Sequence, residues 1–199
     1  MDEKKITFII CVNDLWYYEE CVRYIKELYV PDGHSIDILC IQEADSMAQG
    51  YNGGCEAADA KYKVYLHQDT FITNRNFIYD ILHIFENRQI GMIGVVGATE
   101  LSDPINWDTG SMVFYNPQHA QNTDGLKQDV AQKWIEVKAA GKYLLATQYD
   151  IPWQEMDGSW SNYNILQSLE MRKEGYQVVV PYQERPWCCL LYTSDAADE

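Results

Sequence analysis

Apolar positions in the first hundred residues follow two alternating periods. Ile6 to Val12 is an apolar run interrupted at Thr7, suited to a strand buried on both faces. Cys21, Tyr24, Ile25 and Leu28 then recur at helical spacing, and Asn13 and Asp14 stand where an N-cap belongs. "VPDG" punctuates that helix, and Ile36 to Ile41 reads as a second strand. Asp45 or Ser46 caps a second helix, with Met47, Tyr51, Gly54, Cys55 and Ala58 along one face. Its Gly53-Gly54 pair weakens the helix by roughly 1 kcal/mol per glycine relative to alanine. The benefit expected in return is close approach to a neighbouring element or a ligand. Tyr62 to Leu66 is a third strand, Phe77, Ile78, Ile81, Leu82 and Phe85 mark a third helix, and "IGMIGVVGA" reads as a fourth strand.

Beyond that point the periods weaken. Glu100 to Gly125, rich in Asn, Asp, Pro and Gly, reads as an irregular insertion. Trp134 to Thr147 fits either a helix end followed by a strand or a hairpin around "AAGK". Ile165, Leu166 and Leu169 mark a last helix, Gly175 is placed to cap it, and Gln177 to Val180 is a final strand. Strands alternating with helices predict an α/β sheet built from crossover units. A chain of 199 residues has the length of one domain, and no repeat or interdomain linker divides it.

One strand ends unusually. In "KYKVYLHQDTFI", Val64, Tyr65 and Leu66 favour a half-buried sheet, yet the chain runs straight into His67-Gln68-Asp69. A lone carboxylate is costly to bury unless it is paired or bound to a cation. Ligands of open α/β sheets bind outside the carboxyl ends of the strands, where Asp69 is expected. Residues two apart on an extended chain point the same way, so His67 and Asp69 could share one ion. A carboxylate with an imidazole suits Mn²⁺, or Mg²⁺ largely coordinated by water and diphosphate. Spacing alone also fits two polar residues that end the strand in water.

Charge and cysteine usage narrow the partners. The formal net charge of −15 excludes nucleic acid, whose binding depends on Lys and Arg neutralising phosphates. Six cysteines show no C-x-x-C or zinc spacing, and reduced thiols in a cytoplasmic protein are expected. The N-terminal apolar run is too short for a signal peptide or a membrane span. "GMIGVVG" is not a dinucleotide fingerprint, and no Walker A, G-x-S-x-G or H-E-x-x-H pattern occurs.

The end of the chain breaks the preceding pattern. "CLLYTSDAADE" back-translates into a common transposase-based sequencing adapter. Residues 189–199 are therefore expected to be translated adapter and residues 1–188 the domain, cut short at its C-terminus. The chain stays strongly acidic without them.

Four blocks carry a resemblance: "SMAQGYNGGCEAADAKYKVYLHQDTFI", "IGMIGVVGA", "LLATQYDIPW" and "SLEMRKEGYQVVVPYQERPW". In that order they are similar to bacterial glycosyltransferase family 2-like proteins, a group that includes the domain named after the streptomycin biosynthesis protein StrF. The resemblance covers most of Ile6 to Cys188. It implies a GT-A fold, a Rossmann-like mixed sheet flanked by helices that binds a nucleotide sugar in one half and an acceptor in the other. It implies a metal-dependent transfer of sugar from a nucleotide donor to a hydroxyl on a glycan or metabolite. A non-catalytic nucleotide-sugar-binding or partner-binding domain on the same fold is the alternative, because fold does not fix function.

The resemblance also implies roles. "HQD" takes the place of a D-x-D-like motif, with Asp69 holding Mn²⁺ or Mg²⁺ against the diphosphate and His67 ligating the ion or hydrogen-bonding near it. Asn13, Asp14, Glu43 and Asp45 would surround the nucleotide, and Tyr51 and Asn52 would contact ribose or diphosphate, although Tyr51 suits helix packing equally. Asp157, placed ahead of Glu155, would be the general base that deprotonates the acceptor. Departures stand at Gly141-Lys142, Ser161 and Asn164, where relatives tend to carry Asp-Gly, His and Asp. A late histidine expected after "PWC" is also missing.

Overall fold

The computed structural model describes residues 1–101, 134–141, 143–155 and 161–191. Its seven-stranded sheet has the order β2-β1-β3-β9-β5-β10-β7. The strands are β1 (Asp2–Cys11), β2 (Ser35–Ile41), β3 (Ala60–His67), β5 (Ile90–Gly94), β7 (Trp134–Glu136), β9 (Leu144–Thr147) and β10 (Gln177–Pro181). β1 pairs parallel with β2 and with β3, and β10 pairs parallel with β5. β9 runs antiparallel between β3 and β5, so the sheet is mixed.

Alternation along the strands builds two cores. Ile6, Phe8 and Ile10 of β1 with Val64 and Leu66 of β3 pack on one face against α1 (Leu15–Lys26) and α3 (Phe77–Phe85). Ile9 and Tyr65 point the other way and pack against α2 (Met47–Ala57) and α4 (Tyr163–Lys173). The period of two thus assigns each strand residue to one helix layer.

Caps and close approaches fix the helices. Asp14 Oδ1 accepts from Trp16 N at 2.8 Å to start α1, and Ser46 Oγ accepts from Gln49 N at 3.1 Å to start α2. Gly175, at φ +89°, closes α4 in a Schellman motif with Tyr176 N on Met171 O at 3.0 Å. Of the two adjacent glycines only Gly54 faces a neighbour: a Cβ there would lie 2.3 Å from Ile9 Cγ2, whereas one at Gly53 would meet nothing within 4 Å.

Two expectations change. "IGMIGVVGA" is not one strand but β5 followed by β6 (Gly97–Ala98), which leaves the main sheet to pair with β8 (Ala139–Ala140). The break comes at Val95-Val96, where Val96 O accepts from Gly141 N at 2.8 Å. The described part of Trp134 to Thr147 holds three short strands, β7, β8 and β9, so both forms proposed for it give way. The short strand β4 (Thr70–Ile72) pairs antiparallel with β11 (Cys188–Leu190), across the expected adapter boundary. Ladder bonds join backbone groups, so this pairing is indifferent to the side chains at 189 and 190. Most of the expected insertion, Lys142, Asp157 and residues 192–199 lie outside the described residues.

Candidate active site

The parallel strands β1, β2 and β3 end level with one another. Cys11 lies opposite both Ile41 and His67 in the ladder, so the connections after all three open on one edge of the sheet. That edge gathers Asn13 and Asp14, Glu43 and Asp45, and His67 to Asp69. Asn13, Asp14, Glu43 and Asp45 are exposed there. Glu43 takes a left-handed backbone conformation at φ 58°, a strained choice for a residue with a Cβ.

His67 belongs to the strand and Asp69 does not. Lys63, Tyr65 and His67 share the face toward α2 and α4, and His67 Nε2 shares a 2.6 Å hydrogen bond with Tyr163 Oη. β3 stops there, and Gln68-Asp69 form the turn into β4, so strand alternation does not extend to Asp69. The turn carries Asp69 to the sheet end, where its charge reaches both helix layers. Burial, with Asp69 second, pushes the Cys21 thiol up to about 12. Burial chiefly, with a smaller contribution from Asp69, also holds the Tyr163 hydroxyl well above the usual phenol range.

Several implied contacts are already used by the fold. Tyr51 is buried among Tyr65, Trp153 and Tyr163, with ring centroids 4.9 to 5.7 Å away, so it is a core residue and presents no face to a nucleotide. Asn52 donates Nδ2 to Trp153 O at 2.9 Å and accepts from Trp153 N at 2.8 Å, which spends its amide on the loop leading to Glu155. Asp14 caps α1, and Asp45 exchanges two hydrogen bonds with Gln49 at the start of α2. Glu155 is exposed. Asn164 is buried, with Nδ2 on Ala140 O at 2.6 Å, so this departure from the relatives' pattern has a structural use.

Two residues at the edge escaped the sequence reading. Gln68 accepts at Oε1 from Asn13 N and Asp14 N, both at 2.9 Å, and its Nε2 donates to Asn13 Oδ1. Tyr163 orients His67. Neither contact has a sequence signature, because each joins positions dozens of residues apart. The strand pattern of β3 does contain one clue: it puts His67 on the α4 side.

A divalent ion at this edge can draw on Asp69 and His67. With Nε2 taken by Tyr163, an ion on His67 must use Nδ1, and metal-bound imidazoles commonly have the second nitrogen fixed this way. Among the described residues no group of three His, Cys, Asp or Glu side chains could hold a metal. An ion held by Asp69 and His67 would take its other positions from diphosphate oxygens and water, as hard cations allow.

The mixed sheet flanked by helices matches the fold of solved GT-A glycosyltransferases. The mannosyltransferase PcManGT from Pyrobaculum calidifontis, in complex with GDP-Man and Mn²⁺, matches with a TM-score of 0.61 at 13% identity. That match covers 94% of this chain and 59% of the mannosyltransferase, so the chain spans little over half of that protein's length. Drosophila β1,4-galactosyltransferase 7, in complex with manganese, UDP-Gal and xylobiose, matches with a TM-score of 0.63 at 13% identity, covering 98% and 73%. S. aureus TarS in complex with UDP-GlcNAc matches at 0.60 and 10% identity, covering 98% and 61%. No curated protein sequence matches. A family model described as "Glycosyltransferase like family" matches residues 7–199. The chain belongs to that family.

Proposed function

We propose that this chain is a metal-dependent glycosyltransferase of the hexosyl-transferring kind. It takes a sugar from a nucleotide donor to a hydroxyl of a glycan or small metabolite. The observation that carries the reading is the level ending of β1, β2 and β3, which collects exposed polar side chains and the Asp69 turn on one edge. The solved neighbours' GDP-Man, UDP-Gal and UDP-GlcNAc give the donor classes to try first. The four sequence blocks support membership of the bacterial StrF-domain group. Six free cysteines support a reducing, cytoplasmic setting. No helix among the described residues is long and apolar enough to cross a membrane.

Each part of the edge has a task in this chemistry. Asn13, Asp14, Glu43 and Asp45 line the nucleotide side. Asp69 supplies the carboxylate for Mn²⁺ or Mg²⁺, and His67, held by Tyr163, supplies an imidazole or a hydrogen bond beside it. Such an ion offsets the negative charge that develops on the departing diphosphate. The acceptor oxygen bonds to the anomeric carbon as the bond to the diphosphate breaks, and its proton passes to Asp157 or to exposed Glu155.

A second reading, a nucleotide-sugar-binding domain without turnover, draws on the structural use of Asn164, which holds Ala140 O where relatives tend to carry Asp. Incubation with a panel of nucleotide sugars, Mn²⁺ and candidate acceptors separates the two. Release of free nucleoside diphosphate upholds the transferase, and metal-dependent binding without release upholds the binder. No binding of any donor removes both.

A further inference from the structure

We propose that Gln68 is a positioning residue that locks the connection after β1 to the Asp69 turn, so that nucleotide and ion are held by one rigid unit. The inference rests on the nucleotide-sugar reading of the edge and adds to it a residue that contacts neither ligand. Gln68 lies between the two candidate ion-holding residues, yet its amide points away from them, to a connection 54 and 55 positions earlier. One oxygen, Oε1, receives both Asn13 N and Asp14 N at 2.9 Å. The same amide's Nε2 donates to Asn13 Oδ1, so three hydrogen bonds join the two segments through a single side chain.

The rest of the connection is held at its two ends, by β2 before it and by α1 after it, where Asp14 O accepts from Tyr18 N at 3.2 Å. Val12 N bonds Ile41 O at 2.8 Å, which ties the strand end to β2, but Asn13 and Asp14 are exposed. Asp14 must nevertheless stay in place, because its carboxylate caps α1. On the other side, Asp69 O accepts from Leu191 N at 3.0 Å, which anchors the turn to the segment after β11. Gln68 therefore bridges an anchored turn and an exposed connection.

Bridging matters because the ligand is itself a bridge. A nucleoside diphosphate with an ion touches the connection at its nucleoside end and Asp69 at its ion end. When two subsites are held at a fixed separation, the second contact of a linked ligand forms at high effective concentration. When they move independently, that advantage shrinks although each subsite keeps its own groups. Gln68 should thus act on the coupling between nucleotide and ion more than on either contact alone.

The test is calorimetric titration of UDP and of GDP, with and without Mn²⁺, into wild type, Gln68→Met and Gln68→Glu. Methionine keeps the volume and removes all three hydrogen bonds. Glutamate keeps an acceptor for the two amides, and Asn13 can turn its own side-chain amide to donate. In Gln68→Met the factor by which Mn²⁺ tightens nucleotide binding should fall about tenfold, within the usual range of coupling between sites. Metal-free affinity should change by less than about twofold. Gln68→Glu should recover most of the coupling. Equal losses with and without Mn²⁺, or an unchanged Mn²⁺ factor in Gln68→Met, would overturn the proposal.

Amide hydrogen exchange without ligand reads the lock itself. Asn13 and Asp14 should exchange together, and at least about tenfold faster, in Gln68→Met than in wild type. A wild type that binds neither diphosphate defeats the functional reading, and exchange then decides the lock alone. Faster exchange at both amides upholds it, and unchanged exchange overturns it.

Discussion

Removing the Asp69 carboxylate separates the two roles a strand-end acid can have. As an ion holder, Asp69→Ala should abolish Mn²⁺-dependent nucleotide binding while the thermal melt stays close to wild type. A solvated turn acid should cost no more than roughly 0.5 kcal/mol and leave binding unchanged. His67→Ala should weaken metal-dependent binding less, because water can fill an ion's vacant position. Tyr163→Phe removes only the hydroxyl bonded to His67 Nε2 and should cost about tenfold, the usual scale for a group that orients a ligand from behind. If Tyr163→Phe binds as tightly as wild type, His67 has no part in holding the ion. At this scale the sequence was partly legible. The polar strand ending was visible in "LHQD", because a carboxylate there conflicts with a buried strand. The cap of Asp14 on α1 and the start of α2 at Asp45-Ser46 were visible too, whereas the clamp of Asn52 on Trp153 was not, because it joins positions far apart in the chain.

Elements answer to shape, and the two glycines of α2 give a matched pair for testing it. Gly54→Ala would drive a methyl to 2.3 Å from Ile9 Cγ2 and should cost about 1–3 kcal/mol, the usual penalty for overpacking. Gly53→Ala meets open space and should stabilise by about 1 kcal/mol through helix propensity. Urea unfolding of the two variants decides it, and shifts of the same sign would refute the packing of α2 on β1. A second element-scale contact ties β3 to the return toward Trp153. Lys63 is fully buried, with Nζ 2.7 Å from Asp150 Oδ1 and 2.6 Å from Ala60 O. Asp150→Asn leaves that charge without its counter-ion and should cost about 1–3 kcal/mol in the same measurement. Lys63→Met should cost less, since half-buried Asp150 can turn to water. The strands and helices with strong periods were readable because burial enforces the period. Short strands such as β6 and β8 carry too few residues to show one.

For the molecule as a whole, burial of acidic hydrogens sets an alkaline limit. Burial pushes Cys11, Cys21 and Cys188 up to about 12 from 9.0. It also holds Tyr51, Tyr65 and Tyr163 well above 10.0. A folded pKa above the unfolded value means stability is complete below the unfolded value and is lost as pH rises toward the folded one. Denaturation midpoints should therefore hold steady up to about pH 9 and fall from there toward 12, with the tyrosinate absorbance of the buried Tyr51, Tyr65 and Tyr163 appearing only as the chain unfolds. Tyrosinate signal from all tyrosines before unfolding would contradict the aromatic cluster behind His67. The overall plan, an α/β sheet flanked by helices, was legible because alternating periods dictate crossovers. The antiparallel insertion of β9 between β3 and β5 was not, since strand order depends on long-range pairing that no local pattern records.

The pairing of β4 with β11 has a consequence for the order in which the protein can be made. Thr73 N and Asn74 N both bond Trp187 O, and Trp187 packs its ring edge-on to Phe77 at 5.8 Å. Among the described residues, β4 has only β11 as a partner in its small sheet. A ribosome adding roughly 5–20 residues per second needs on the order of 10 s to travel from the Asp69 turn to that partner. During that interval the nascent chain carries β1 to β4 but lacks the strand that pairs with β4. The turn after β3 is thus translated well before the strand that pairs beside it.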